Sequence, residues 1–345
     1  MIRFTFLHTG ETAIAMLREN EAPETCRAIT AALPVASVCH HASYSGSEGV
    51  VILPELVCVP PENATAEVRP GDVGYTWFAA GSAYGVVQAF SEICWFYDQD
   101  ARPSMHEGPA PVSLFARFTG DTEAFFRRSR AMRRSGVTCL LAESASDERD
   151  AVVVPYYDPA NEAPITAHEV VTGDGAVRLA PDAATGGCRL LRRRYPNGSW
   201  FLSGEVVGGG WTIGSADLAL VEDGLAAVLS VGGTNELVVS FSHDGGATWS
   251  SARPTGLRGT KPSLLALGNG VVALAYDDES GLSFACGSSV TDLRPIHPFA
   301  NATIHGLAHP ILLSLGPNRL CCAAHAVGAR TPDTLLIIPL PTGRA

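Results

Sequence analysis

Apolar and polar residues alternate along the first part of the chain with the two-residue period of β-strands. Gly10 and Glu11 interrupt the first alternation and predict a hairpin turn. The predicted strands are residues 2–7, 12–17, 37–43, 49–53, 74–78 and 86–90. Two stretches follow a helical period instead, residues 23–33, where Pro23 suits a first turn, and residues 121–135, which Gly136 ends.

After residue 150 the helical period disappears and a turn pattern recurs. Tight turns centred on Gly224, Gly270 and Asn318 each lead into a β-rich run, at intervals of 46 and 48 residues. Repeats of this length with several short strands are typical of propeller blades, which predicts about four blades in this segment. A further turn at Gly198 lies too close to Gly224 to fit the period.

A polar run at residues 144–150 separates these two patterns and is the predicted domain boundary. The chain has 345 residues, which is more than a single hydrophobic core usually organises. We therefore predict a mainly β protein with two domains, residues 1–143 and residues 151–345.

Composition limits the classes of function. The chain is 46% hydrophobic and 17% charged with a net charge of −11, which is typical of an acidic globular protein and disfavours a nucleic-acid partner. It contains neither a signal-peptide pattern at its start nor an apolar run long enough to span a bilayer, so we expect a cytoplasmic protein without a membrane partner.

Nine scattered cysteines predict reduced, buried thiols. The adjacent Cys39, His40 and His41 look like metal ligands, but consecutive strand residues point to opposite faces. We accordingly predict no metal site and no cofactor.

The first domain has its densest set of polar side chains near predicted strand ends. Such a group could bind a small polar ligand, for instance a carboxylate-bearing metabolite, or transfer protons if burial raised the carboxyl pKa values. The alternative is that residues such as His41 and Glu62 only cap turns. The candidate ligand-binding residues are His41, Tyr44, Glu48, Glu62, Asn63 and Glu92.

An aromatic run, Trp95 to Tyr97, leaves a similar choice open. It predicts either core packing or the lining of a ligand slot or partner interface.

One motif in the second domain resembles the Asp-box, or BNR repeat, of sialidase-like propellers, S-x-D-x-G-x-T-W. Its five defining positions are filled by Ser242, Asp244, Gly246, Thr248 and Trp249. The resemblance implies a structural role, because these boxes lie away from the ligand-binding centre of such propellers. Sialidases close with six blades and use arginines spread over several of them, whereas Arg189 and Arg192 to Arg194 are bunched on one segment.

The first domain resembles cyclophilins at Ala22-Pro23-Glu24-Thr25, where a hairpin leads into a helix. The isomerase motif, an Arg followed by F-x-x-Q-G-G, has no counterpart in residues 40–51, so prolyl isomerase activity is not expected. A bacterial family of cyclophilin-like domains of unknown function is more similar. The segments that carry this resemblance are residues 41–46, 60–65, 70–73 and 84–85, with Tyr44 at the family's aromatic position and Glu48 displaced from its acidic one.

The sequence thus predicts a binding or assembly protein that holds a small molecule at the mouth of a cyclophilin-like barrel. Whether it is an enzyme stays open. The alternatives are a divergent sialidase-like glycoside hydrolase on the propeller and a lyase- or isomerase-like enzyme in the barrel. Because an incomplete propeller exposes strand edges that something must cover, a homo-oligomer or a close interdomain contact is also expected.

Overall fold

Strands form most of the chain in the computed structural model, and the two helices found among the described residues lie before residue 146. The structure describes residues 1–145, 151–157, 169–172, 175–194, 198–207, 210–267, 270–299, 304–316, 318–326, 329 and 332–340. The mainly β prediction is confirmed. The chain divides into two units, Met1–Asp150 with Val154–Pro164, and Ala151–Val153 with Ile165–Ala345. Within the predicted boundary, residues 146–150 lie outside the described residues.

The first unit contains a closed barrel of eight antiparallel strands, in the order β11-β1-β2-β10-β6-β7-β4-β3, which pairing between β11 and β3 completes. The bounds of these strands are β1 Ile2–Phe6, β2 Thr12–Leu17, β3 Val35–His41, β4 Glu48–Ile52, β6 Asp72–Phe78, β7 Phe90–Phe96, β10 Val112–Thr119 and β11 Thr138–Ser144. Short strands outside the barrel are β5 Ala64–Thr65, β8 Ser104–Met105 and β9 Gly108–Pro109. Closure leaves no unpaired edge in the barrel itself.

Aromatic side chains fill the barrel interior. Phe4, Phe6, Trp95 and Phe125 are all fully buried, and the Phe6 and Phe125 rings stack with centroids 4.6 Å apart. The Trp95 indole N–H donates to the Ser129 hydroxyl at 3.0 Å, so its one polar atom is satisfied inside the core. The aromatic run at residues 95–97 is therefore core packing.

Two helices pack against the barrel. Helix α1 covers Pro23–Ala32 and helix α2 covers Glu123–Ser135, and α2 ends at Gly136, whose φ of 79° is accessible to glycine. Helix α2 contributes Phe125, Phe126 and Met132 to the core. Neither helix, nor any other among the described residues, has the length and apolar character to cross a membrane.

The strand predicted at residues 86–90 is wrong, because only Phe90 belongs to a strand, as the first residue of β7. The apolar run of β7 is buried on both faces, so its sequence lacks the alternation on which the prediction depended.

Four antiparallel sheets form the second unit within its described residues. The first three have four strands each, β13 to β16, β17 to β20 and β21 to β24, and the last contains β25 to β27. Residues 154–157 of β12, Val152–Tyr157, lie in the first unit, where Tyr156 and Tyr157 pair in parallel with β3. The remaining bounds are β13 Val170–Thr172, β14 Gly175–Pro181, β15 Cys188–Arg194, β16 Phe201–Val207, β17 Ile213–Val221, β18 Gly224–Val231, β19 Glu236–Ser242, β20 Arg253–Arg258, β21 Thr260–Ala266, β22 Val272–Asp278, β23 Gly281–Gly287, β24 Arg294–Ile296, β25 Leu307–Ser314, β26 Arg319–Ala326 and β27 Thr334–Pro339.

The recurring turns predicted from the sequence join the first two strands of successive sheets. Gly224 begins β18 after its hairpin with β17, and residues near 270 and 318 occupy the same place in the next two sheets. Gly198 instead follows β15 and precedes β16, the third and fourth strands of the first sheet, which explains why it breaks the period. Successive sheets bury apolar faces against each other, as Leu190 does with Leu225 and Val228 with Leu274.

We predict that Gly49→Ala destabilises the first unit. An added Cβ at residue 49 would overlap the Trp95 indole, which is fully buried and held in place by Ser129. Overpacking of this kind costs about 1–3 kcal/mol, which chemical denaturation would measure. Gly214→Ala is the control, because the nearest atom to its added Cβ is the Ser230 oxygen at 3.9 Å. Equal stability of the two variants would contradict the packing described.

Candidate functional site

A pocket of about 340 Å³ lies on the first unit and contains four of the six predicted site residues. These four are His41, Tyr44, Glu48 and Glu92. The wall of the pocket comes from β3, β4, β6 and β7, and residues 103–105 and 110 cover it from the segment that follows β7.

The pocket lies on the outer face of the barrel wall. Side chains alternate across a strand, so Val51 and Trp95 enter the aromatic core while Val50 and Cys94 belong to a second apolar cluster on the opposite face. Glu48 shares the face of Val50, and Glu92 shares that of Cys94. The predicted position at the barrel mouth differs from this arrangement, because aromatic side chains occupy the interior.

Glu48 is the buried polar group of the pocket. It begins β4, is only 3% exposed, and its Oε2 atom has no hydrogen-bond partner among the described residues. Burial raises the pKa of Glu48 to about 7, although contacts with the Ser45 and Cys94 side chains act in the opposite direction. A carboxyl group is thus held in an apolar wall with one oxygen unused.

Glu92 lies on the neighbouring strand and faces the same pocket. Its strand position is opposite Ile52, so Val50 and Cys94 lie between the two glutamates along the wall. Burial, and after it the charge of Glu48, raises the pKa of Glu92 to about 8. At neutral pH the two glutamates are therefore partly protonated, whereas exposed carboxyl groups would be ionised.

The rest of the lining is largely apolar. Phe78 and Phe90 form one side, with ring centroids 5.2 Å apart. Tyr44 is 53% exposed at the rim, where its ring meets His106 edge-on at 5.9 Å. Other apolar lining residues are Val50, Ile52, Pro103, Met105, Ala110 and Val112. This apolar lining is not apparent in the sequence, because its strands resemble ordinary core strands and residues 103–105 and 110 are distant from them in sequence.

His41 is already engaged by other residues. Its Nδ1–H donates to the Ala42 carbonyl at 2.8 Å, and its Nε2 accepts from Arg133 Nε at 2.7 Å. This pattern defines the neutral tautomer. Burial and the Arg133 charge lower the pKa of His41, while the bond to Ala42 partly opposes them. His41 is therefore a positioning residue beside the pocket, without a free ring nitrogen.

Polar groups around Arg133 link helix α2 to the barrel at this end. Arg133 donates to the Ser47 hydroxyl at 2.7 Å and to Asp100 at 3.1 Å, and Arg130 pairs with Asp98 at 3.0 Å. Both arginines belong to helix α2. Their carboxylate partners favour a role in attaching α2.

Glu62 and Asn63 lie apart from the pocket lining. Glu62 accepts the backbone N–H groups of Glu24 at 3.2 Å and Thr25 at 2.7 Å, and it caps α1, whose preceding residue, Ala22, has no capping side chain. Partial burial raises the pKa of Glu62, but the bonds from Thr25 and Glu24 outweigh it and lower the pKa. Asn63 donates to the Leu114 carbonyl at 2.9 Å and has a positive φ of 47°. Both positions fit the turn-capping alternative.

In the second unit the turn from Ser242 to Trp249 is held by its own side chains. Asp244 accepts the Thr248 backbone N–H at 2.9 Å and the Thr248 hydroxyl at 2.6 Å, and the Ser242 hydroxyl accepts the Gly246 N–H at 2.7 Å. The two bonds from Thr248, together with a bond that the Ser242 hydroxyl donates to Asp244, hold the pKa of Asp244 well below its usual range. Trp249 donates to the Gly246 carbonyl at 3.2 Å. All five motif residues thus take part in the turn.

The bunched arginines of the second unit are also in structural contacts. Arg192 donates to the Gly245 carbonyl at 2.7 Å, and Arg178 and Arg193 lie over the Trp200 ring at 4.4 and 5.1 Å. Within the described part of the chain, no group of three or more His, Cys, Asp or Glu side chains is arranged to hold a metal ion.

Residues 5–141 match the model of a family described as "Protein of unknown function (DUF3830)". No curated protein matches the chain. Among solved structures, a protein of unknown function from Dyadobacter fermentans is 12% identical, with 98% of each chain covered and a TM-score of 0.40.

Two further structures are carbohydrate-active enzymes. The NanB sialidase from Streptococcus pneumoniae is 12% identical with a TM-score of 0.37, and the match covers 51% of this chain but only 30% of the sialidase. An endo-arabinase from Bacteroides thetaiotaomicron is 11% identical with a TM-score of 0.38, covering 68% of this chain and 86% of the enzyme.

We predict that Glu48→Gln removes part of the pH dependence of stability. The folded protein retains a proton on Glu48 up to a pKa of about 7, whereas the unfolded chain releases it near the ordinary value of 4.5. Folding stability therefore falls as the pH rises through this window, by about 3 kcal/mol for one such group. Denaturation at pH 5 and at pH 8 would measure a smaller fall in the variant. Parallel curves for the two proteins would contradict the raised pKa.

Proposed function

We propose that the first unit binds a small organic molecule in the pocket on the barrel wall, with the Glu48 carboxyl group as its polar anchor. The observation that carries this proposal is the buried, unpartnered Oε2 of Glu48, a residue that lines the pocket. A buried polar atom without a partner costs free energy that a ligand donor would recover.

The form of the cavity supports a small molecule as the ligand. About 340 Å³ lies at the lower end of the range of ligand pockets, and a lining that combines apolar side chains with polar groups is compatible with a small organic ligand. A peptide laid along an exposed strand edge is less compatible, because the barrel strands are paired on both sides.

We further propose that this barrel is cyclophilin-like and has lost, or never had, prolyl isomerase activity. Eight antiparallel strands with two helices support the first point, and the absence of the isomerase motif from residues 40–51 supports the second. The pocket on the barrel wall would then be distinct from the isomerase centre of cyclophilins.

For the second unit we propose a partial sialidase-like propeller with a structural role. Its stacked sheets and the hydrogen-bonded Asp-box turn support this assignment. A glycoside hydrolase is the weaker candidate, because Arg178, Arg192 and Arg193 are in contacts that stabilise the sheets.

A thermal-shift screen of amines, sugars, alcohols and small carboxylic acids tests the binding function. A ligand at about 100 times its Kd adds about 2.7 kcal/mol of stability, which raises the melting temperature. We expect hits with the full chain that are lost or weakened in Glu48→Gln. Glu67→Gln, an exposed carboxylate outside the pocket, is the matched control and should retain them. Hits that Glu48→Gln leaves unchanged, or a screen without hits, would contradict the proposal.

A further inference from the structure

We propose that the ligand of the wall pocket is an organic cation, a protonated amine that carries an apolar substituent. This inference rests on the proposed binding function and adds the charge and the shape of the ligand. It differs from the carboxylate-bearing metabolite that the sequence suggested.

The charge of the lining favours a cation. Glu48 and Glu92 are the acidic residues of the pocket, and no lysine or arginine is among its described lining residues. His41 is held neutral by its two hydrogen bonds, so it supplies no positive charge. A carboxylate ligand would meet two acidic groups and no lysine or arginine among the described lining residues, whereas an ammonium group would be attracted by both acidic groups.

Once Glu48 is ionised, its unpartnered oxygen needs a donor. An ionised carboxylate accepts hydrogen bonds only, and the Oε2 of Glu48 is buried in the wall with none. An ammonium group has three donors and no acceptor, so it leaves no polar atom of its own without a partner when it also reaches Glu92. A hydroxyl group supplies a single donor without charge and would gain less.

The apolar substituent follows from the remaining lining. Phe78 and Phe90 offer ring surface beside the carboxyl groups, and Val50, Ile52 and Met105 complete an apolar slot. At the rim, Tyr44 and Tyr84 both contact the His106 ring, with centroids at 5.9 and 4.9 Å. An amine with a flat or branched apolar group of a few carbons would fill this space, whereas a hydrophilic polyamine would leave the slot unfilled.

Binding of a cation should release a proton. The titratable residues that line the pocket with Glu48 are Glu92 from β7, His40 and His41 from β3, and Tyr44 at the rim, with the Cys94 thiol between the glutamates. The covering residues, Pro103, Ser104, Met105 and Ala110, contribute no charge. Because burial keeps Glu48 and Glu92 partly protonated at neutral pH, an ammonium ligand must displace a proton as it binds.

The test compares three probes that share one skeleton and differ in the head group: 2-phenylethylamine, 2-phenylethanol and phenylacetate. Isothermal titration with the full chain at pH 8 should give about tenfold tighter binding of the amine than of the alcohol, with no binding of the acid. The affinity for the amine should fall about tenfold between pH 8 and pH 6, and buffers of different ionisation enthalpy should report proton release.

Variants separate this inference from the proposed function. Glu48→Gln should abolish the preference for the amine, and Glu67→Gln should preserve it. If the alcohol or the acid binds as tightly as the amine or more tightly, and Glu48→Gln loses this binding, the ligand is not an organic cation but the proposed binding function stands. If none of the three probes binds, the proposal of an organic cation is also wrong. The thermal-shift screen then tests the binding function separately.

Discussion

Close packing of aromatic rings inside the barrel decides where a ligand can bind. Phe4, Phe6, Trp95 and Phe125 are fully buried in the interior, and an added Cβ at Gly49 would overlap the Trp95 indole. Helix α2 closes the adjacent end through Arg130 and Arg133. Of the polar residues near the strand ends, Glu62 and Asn63 bond backbone groups, whereas Glu48 and Glu92 line the pocket on the outer wall.

On that outer wall, residues 103–105 and 110 and the side chains of the strands together line a pocket. Strand alternation sends Trp95 inward and Cys94 outward from the same strand, so one element serves both the core and the pocket. Residues 103–105 line the same pocket, and Glu48 is only 3% exposed. The resulting carboxyl group is desolvated, raised in pKa and short of one hydrogen bond, which is the condition of a preorganised binding group.

Local patterns were sufficient for most elements of the fold, and they were insufficient for most of the site. The hairpin at Gly224 was predictable because adjacent residues determine its turn. The position of β7 was predicted wrongly because its residues are buried on both faces of the strand. Glu48 and Glu92 share a pocket only through the register of β4 with β7, a long-range pairing that sequence spacing does not encode. Glu62 was grouped with them because nothing local indicates that it caps a helix about 37 residues earlier in the chain.

Burial of the Glu48 carboxyl group with one unpartnered oxygen is the central claim, since the binding site and the ligand charge are argued from it, and this burial is what raises the pKa. The pKa is measured most directly by following the side-chain carboxyl ¹³C resonance of Glu48 in the full chain as the pH is changed, with Glu48→Gln to assign the signal. The account predicts a midpoint near the pKa of about 7. A midpoint at the ordinary glutamate value of 4.5 would contradict it.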